Sequence, residues 1–300
     1  MAKTISTSRA AEIIRSGGVV AFPTETVYGL GANALDAAAV AKIYELKGRP
    51  STSPLIVHVS SIGMARRYAA EWQADELAKK YWPGPLTIVV PKSPEIPDIV
   101  TAGLPTVGMR MPAHPVALEL LELAEVPIAA PSANRFTHLS PTTAEHVYEE
   151  FGDKVEIVEG GASQVGIEST VVSLVGGKLT LLRPGMISLG DLESATTPAG
   201  AHPAPGMHER HYSPRTPLYL VEDREQLPDR LGVFVFLTAP RATAGSVRMP
   251  DDPVKYAARL YDVLHRLDRE KWPWIGVEAP PNRPEWAAIL DRLRRARSAG

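Results

Sequence analysis

Short apolar runs alternate with stretches of helical periodicity through this 300-residue chain, and that alternation restricts it to an α/β fold. Val19–Phe22, Leu55–Val59, Leu86–Val90, Thr106–Met111 and Pro127–Ala130 are short, apolar and read as buried strands. Between them, Ser8–Arg15, the stretch after Asp36, Ile62–Tyr81 and Val116–Ala124 read as helices. The clearest boundary follows Asp36, a suitable N-cap for a helix whose Val40, Ile43 and Leu46 share one face. Gly48 supplies the stop and Pro50 prevents the helix from resuming. Lys47 and Arg49 thereby stand at the mouth of a helix-to-strand loop, where the simplest role for Lys47 is to complement the helix dipole.

The loop after the first strand, Pro23–Gly31, gathers hydroxyls, a carboxylate and glycines at a strand end, where ligands tend to bind in open α/β sheets. Pro131-Ser132-Ala133-Asn134 is a turn sequence directly after a buried strand. Ser140-Pro141 introduces a helix over Thr142–Phe151. Glu156–Val158, Thr170–Leu174 and Leu179–Leu182 read as strands, the last two joined by a Gly176-Gly177 turn. Residues 194–217 read as an extended linker ending in His208-Glu209-Arg210-His211-Tyr212-Ser213-Pro214. Beyond it, strands Leu218–Val221, Val233–Leu237 and Ile275–Val277 accompany helices Val254–Leu267 and Trp286–Arg297, a second, small α/β unit. The expected organisation is a large domain over residues 1–195, a linker over 196–216 and a C-terminal domain over 217–300. The Arg292–Arg297 cluster reads as a solvated helix end.

Composition excludes several classes of function. The chain has no cysteine, hence no disulfide, thiolate metal site or cysteine nucleophile. Its net charge of −2 divides into −5 over residues 1–200 and +3 over 201–300, without the basic excess of a protein held to nucleic acid by phosphate contacts. No apolar run approaches the roughly 18 residues of a membrane span, and Met1-Ala2-Lys3-Thr4 leads into a short amphipathic helix, so a cytoplasmic protein is expected. Familiar motifs also fail. Gly29-Leu30-Gly31-Ala32-Asn33-Ala34 follows its strand too late for a dinucleotide fingerprint, and no acid lies where the ribose would need one. Gly176-Gly177-Lys178 lacks the context of a P-loop, and Ser132 lacks that of a hydrolase nucleophile. His202, His208 and His211 lie on a linker without an acidic or thiolate partner, so no metal site is expected.

What remains is a set of cations and small polar residues at loops and strand ends: Lys47, Arg49, Arg110 and Arg183, with Thr26, Ser53, Ser132, Asn134, Ser140 and Ser169. Taken singly, each reads as a loop or surface residue. Converging on one cleft, the arginines would suit a triphosphate and a carboxylate, because guanidinium binds both bidentately.

These residues carry a resemblance. Gly18–Gly31, Lys47-Gly48-Arg49-Pro50 with Pro54–His58, Tyr81–Thr87, and Arg110-Met111-Pro112 resemble, in order, the signatures of the L-threonylcarbamoyladenylate synthase family. Pro131–Asn134 with Ser140-Pro141-Thr142, Gly166–Val171 and Arg183-Pro184-Gly185 continue the match across residues 10–190. His211-Tyr212-Ser213-Pro214 and the following α/β unit resemble the long, two-domain form. The resemblance implies an open, twisted, mixed YrdC-like sheet with helices and a central cleft, plus a small Rossmann-like C-terminal domain. It implies a nucleotidyltransferase that makes threonylcarbamoyl-AMP and pyrophosphate from L-threonine, bicarbonate and ATP, for N6-threonylcarbamoyladenosine at tRNA position 37. Lys47, Arg49, Ser132 and Asn134 would form its central polar tetrad on the ATP phosphates. Ser53, Thr106, Ser140, Arg183, His211 and Tyr212 would add ATP contacts, while Thr26, His58, Arg110, Ala130 and Ser169 would hold L-threonine. Mg²⁺ would arrive with ATP, without a named protein ligand. The product would pass to a tRNA threonylcarbamoyl transferase complex, with no stable direct tRNA contact.

The sequence departs from the family pattern at three places: Ser53 stands for a usual Asn, Thr137 for a usual Gly, and His208-Glu209 for a more basic pair. Two rival readings bear on the same groove. A non-catalytic RNA-binding module would need a basic, aromatic-rich surface that is missing here. Carbamoyl transfer in metalloenzyme maturation accompanies cysteine zinc modules, which this chain cannot supply.

Overall fold

The computed structural model describes residues 3–189, 211–222, 227–229 and 231–298. The chain opens with β1 (Thr4–Ile5), α1 (Thr7–Arg15), β2 (Val20–Phe22) and β3 (Gly29–Asn33). There follow α2 (Ala37–Lys47), β4 (Ile56–His58), α3 (Ile62–Tyr68), α4 (Asp75–Tyr81), β5 (Leu86–Pro91), α5 (Asp98–Thr101) and β6 (Thr106–Arg110). Next are α6 (Pro115–Ala124), β7 (Ile128–Ala129), α7 (Ala144–Phe151), β8 (Glu156–Val158), β9 (Thr170–Ser173) and β10 (Thr180–Arg183). The remainder holds β11 (Leu218–Val221), β12 (Val233–Phe236), β13 (Gly245–Arg248), α8 (Pro253–Arg269), β14 (Ile275–Glu278) and α9 (Ala287–Ala296).

Among the described residues, ten strands form one mixed sheet in the order β1-β8-β2-β3-β7-β4-β6-β5-β9-β10, and four form a second in the order β11-β14-β12-β13. The second sheet is parallel throughout, as expected of strands joined by helical crossovers. The expected α/β class and the mixed character of the large sheet are both present. Asp36 caps α2, its carboxylate accepting from the Ala38 and Ala39 amides, and Gly48 ends it with φ 60°.

Three local readings change. Pro23–Gly31 is not loop throughout: Gly29 and Gly31 belong to β3, paired with β2. A Cβ at Gly31 would fall 2.6 Å from Phe22 and 2.7 Å from Ile128, so glycine is required where two bulky neighbours meet over the strand. Residues 62–81 form two short helices, because Ala69 turns out of the helical path to bridge Lys92. β13 is a partly exposed edge strand whose polar Ser246 and Arg248 hide it from an apolar pattern. Residues 196–210 of the expected linker lie outside the described residues.

The two units share buried surface. Val27, Leu139, Ile167 and Tyr212 belong to the same apolar cluster as Leu218, Tyr256, Leu260, Leu264, Ile289 and Leu293. Gly166, at φ 78°, lets α8 press directly on the large unit: a Cβ there would lie 2.4 Å from the Ala257 carbonyl oxygen. Around this seam, the His146 and His265 rings stack at 3.9 Å and Arg269 pairs with Glu149 at 2.8 Å. No helix among the described residues is long and apolar enough to cross a membrane.

Candidate active site

A cleft lies over the face of the large sheet where β3, β7, β4 and β6 run side by side. Thr24 and Thr26 reach it from the loop after β2, and Arg49 from the turn after α2. His58 ends β4, Arg110 ends β6 beside it, and Ala130 and Ser132 follow β7. Glu168 and Ser169 precede β9, Arg183 ends β10, and His211 with Tyr212 closes the wall from the segment before β11. Ten of the sequence-derived candidates thus meet: Thr26, Arg49, His58, Arg110, Ala130, Ser132, Ser169, Arg183, His211 and Tyr212.

Arg110 is fixed on three sides. Its Nε donates to the Gly84 carbonyl at 3.2 Å, Nη1 to Thr26 Oγ1 at 2.8 Å, and Nη2 lies 2.7 Å from Glu25 Oε1. Thr24 Oγ1 donates to the Val27 carbonyl at 2.6 Å, which leaves Thr26 as donor in their 2.8 Å contact. The hydroxyl chain therefore runs one way, from Arg110 through Thr26 and Thr24 to a backbone carbonyl. Arg183 donates to the Ser169 carbonyl through Nε and Nη2, and to Ser169 Oγ at 3.1 Å. Burial, with Arg110 nearby, pushes the His58 pKa down to about 3, so its imidazole is neutral at ordinary pH. Burial pushes Arg49 down to about 10, which still leaves it a cation. Of the cleft-lining atoms, Arg49 Nε, His58 Nδ1 and Tyr212 Oη are buried without a hydrogen-bond partner among the described residues, the state expected of groups awaiting a polar ligand.

Lys47 is not among the residues that line the cleft. Its ammonium donates to the Ser132 carbonyl at 2.6 Å and to the Asn134 carbonyl, so it braces the 132–134 turn from behind the cleft. Burial, reinforced by Arg49, lowers its pKa well below the ordinary lysine value. Asn134 likewise works on its own loop, its Nδ2 donating to the Arg135 and His138 carbonyls. Ser53 is buried in the turn after α2, where its carbonyl accepts from Tyr44 Oη at 2.9 Å. Thr106 shares the face of Arg110 but stands four residues away, roughly 13 Å along the strand, outside the lining. Ser140 reaches the cleft indirectly, donating to Glu168 Oε1 at 2.5 Å. Thr137 takes φ 70°, so the loop keeps a left-handed residue where a glycine would be unstrained.

Three charged residues of the site escape sequence reasoning. Glu25 backs Arg110, Glu168 lines the cleft, and Arg292 of α9 binds Glu168 at 2.7 Å. Arg292 is fully buried, which corrects its reading as part of a solvated helix end. The available signal was its spacing: Ala288, Arg292 and Ala296 recur every fourth residue, along the stripe that holds Ile289 and Leu293.

Fold and cleft together define an α/β protein that gathers arginines and small hydroxyls in one cleft, closed on one side by the segment that leads into a second domain. Residues 12–185 match the Sua5/YciO/YrdC family model, described as "Telomere recombination", and residues 179–298 match the model described as the threonylcarbamoyl-AMP synthase C-terminal domain. The chain is 42% identical to a threonylcarbamoyl-AMP synthase of Pyrococcus abyssi, over 96% of this chain and 92% of the relative. It is 40% identical to the threonylcarbamoyl-AMP synthase of Bacillus subtilis, with the same shares covered. The crystal structure of P. abyssi Sua5 complexed with L-threonine superposes with a TM-score of 0.89 at 40% identity, covering 97% of this chain and 93% of that one. The chain belongs to the Sua5/YrdC family, in its two-domain form.

Proposed function

We propose that the chain is a threonylcarbamoyl-AMP synthase, a nucleotidyltransferase that joins L-threonine, bicarbonate and ATP and releases pyrophosphate. The observation that carries this reading is the convergence of Arg49, Arg110 and Arg183 with buried, unpartnered polar atoms in one cleft of a family member similar to such synthases along nearly its whole length. Carbamate formed on the threonine amine must attack the α-phosphorus while pyrophosphate leaves. That step depends on positioning and charge stabilisation, and needs no covalent nucleophile from the protein.

The residues divide the work by chemistry. Arg110, held by Thr26 and Glu25, offers a fixed guanidinium to the threonine carboxylate, with neutral His58, Ala130 and Ser169 around it. Arg49, Ser132 and Arg183 face the phosphates, while Lys47 and Asn134 set the backbone of the turn that carries Ser132. His211 and Tyr212 cover the cleft and restrict water, which would otherwise hydrolyse an acyl-phosphate product. Mg²⁺ would enter with the triphosphate: Glu25 is paired with Arg110, Glu168 with Arg292, and no cluster of three metal-ligating residues occurs among the described residues. The product would serve a tRNA threonylcarbamoyl transferase complex, in the cytoplasm where tRNA is modified.

The test is pyrophosphate release by purified protein with ATP and Mg²⁺. Release that requires both L-threonine and bicarbonate is expected. Background release under all conditions, together with salt-sensitive RNA binding, would favour the non-catalytic RNA module instead.

A further inference from the structure

Glu168 and Arg292 are 124 residues apart in sequence and belong to different sheets' surroundings, yet they form a buried pair at the cleft wall. Arg292 Nε donates to Glu168 Oε2 at 2.7 Å and Nη2 to the Glu168 carbonyl at 3.3 Å. Its Nη1 donates to the Pro184 carbonyl at 3.1 Å and to Asp291 Oδ2 at 2.7 Å. Its guanidinium carbon lies 5.2 Å from the centre of the Tyr212 ring. One side chain of α9 thus grips the residue before Ser169, the residue after Arg183, and Tyr212 itself. The same helix also takes the His211 amide, which donates to the Arg295 carbonyl at 3.1 Å.

We propose that Arg292 is a positioning residue through which the C-terminal domain sets Ser169, Arg183 and Tyr212 and neutralises Glu168 in a cleft meant for anions. The inference rests on reading that cleft as the ATP and threonine site. Its physical necessity is electrostatic. Every expected substrate is an anion or carries a carboxylate, and an unpaired glutamate on the wall would repel it. Both Glu168 oxygens are already engaged, Oε1 by Ser140 and Oε2 by Arg292, with Tyr261 Oη 3.2 Å from Oε2, so Glu168 is an anchored anion and not a proton acceptor for the reaction. Burial alone would raise its carboxyl, but Arg292 and Arg183 with those hydrogen bonds hold it below the usual range.

The test compares Arg292→Met, Arg292→Lys and the double variant Arg292→Met with Glu168→Gln. ATP affinity is read by titration calorimetry, steady-state constants by pyrophosphate release, and folding by thermal melts. Arg292→Met is expected to weaken ATP binding roughly 100-fold at pH 8, with part of the loss recovered as pH is lowered and the stranded Glu168 takes up a proton. Among the described residues, the groups facing that carboxyl are Ser140, Tyr261 of α8, Arg183 of β10, Tyr212, and Asp291 beside Arg292, so Arg183 is the cation that remains beside it. The double variant should bind ATP better than the single one at pH 8 and lose its extra pH dependence. A merely structural role for Arg292 would not yield this rescue. Arg292→Lys keeps the charge but not the fork, and should weaken ATP binding roughly tenfold; it decides the matter if Arg292→Met does not fold. Wild-type ATP affinity in the folded Met or Lys variant, or a double variant no better than the single, overturns the proposal. A wild-type protein that binds ATP but releases no threonine-dependent pyrophosphate overturns the functional reading alone, since the affinity comparison does not require turnover.

Discussion

Two buried arginine–glutamate pairs serve this cleft in opposite senses. Arg110–Glu25 and Arg292–Glu168 both close at 2.7 Å. In the first, the arginine lines the cleft and the carboxylate stands behind it; in the second, the carboxylate lines the cleft and the arginine stands behind. The first is assembled from β6 and the loop after β2, inside one sheet. The second exists only when α9 has docked. The comparison teaches that the large sheet can fix an arginine in the cleft unaided, whereas the neutrality of its far wall depends on the other domain.

The largest expected effect comes from breaking the first pair. Arg110→Met leaves Glu25 buried without its partner, a loss of about 3–5 kcal/mol, and removes the group proposed to hold the threonine carboxylate. Threonine-dependent kcat/KM should fall by roughly 1,000-fold or more, the equivalent of about 4 kcal/mol. A loss below tenfold would take Arg110 out of substrate contact. The second pair is addressed through its docking. Gly166→Ala strains a φ of 78° and drives a methyl into the α8 backbone, and should cost about 2–3 kcal/mol in denaturant unfolding. Unchanged stability would show that α8 is not pressed against that loop.

His146 at the domain seam also predicts an acid sensitivity, one that buried His58 in the cleft shares. Burial, then His265 and Arg269, pulls His146 down to about 3, and burial lowers its stacking partner His265 as well. An unfolded histidine titrates near 6.5, so between those values the unfolded chain binds more protons and stability falls as pH falls. At pH 5 His146 alone should account for about 2 kcal/mol of destabilisation relative to pH 7. A stability profile that is equally steep in His146→Gln would remove the stack from the explanation. The smallest expected effect is a gain. Thr137→Gly relieves a left-handed threonine and should stabilise by about 0.5–1 kcal/mol, read as a melting temperature higher by roughly 2 °C. A lower melting temperature would mean that the threonine side chain contributes more than its backbone costs.

How far the sequence disclosed this arrangement depended on range. Asp36, Gly48 and Pro50 bounded α2 correctly because capping and stop signals act within a few residues. Arg49, Arg110 and Arg183 were legible as strand-end and loop cations, and the cleft gathers all three. The carbonyl contacts of Lys47 were not, since Ser132 and Asn134 lie 85 and 87 residues further on. Glu25 and Glu168 looked like ordinary polar residues because a buried carboxylate is recognised only with its partner. Arg292 was concealed by company: neighbouring arginines at 294, 295 and 297 suggested a wet helix end, while its place on the apolar stripe said otherwise.

The shared apolar cluster also bears on how the chain comes off the ribosome. Val27, Leu139 and Ile167 precede the C-terminal unit, which packs against them with Leu260, Leu264 and Ile289. All ten strands of the large sheet lie before residue 184, so that sheet can be complete before β11 emerges. Synthesis order and packing order therefore agree: the later segment meets a finished template and closes onto it. Pulse-labelled hydrogen exchange should show β11–β14 gaining protection last, and earlier protection there would mean that the small sheet matures without its wall.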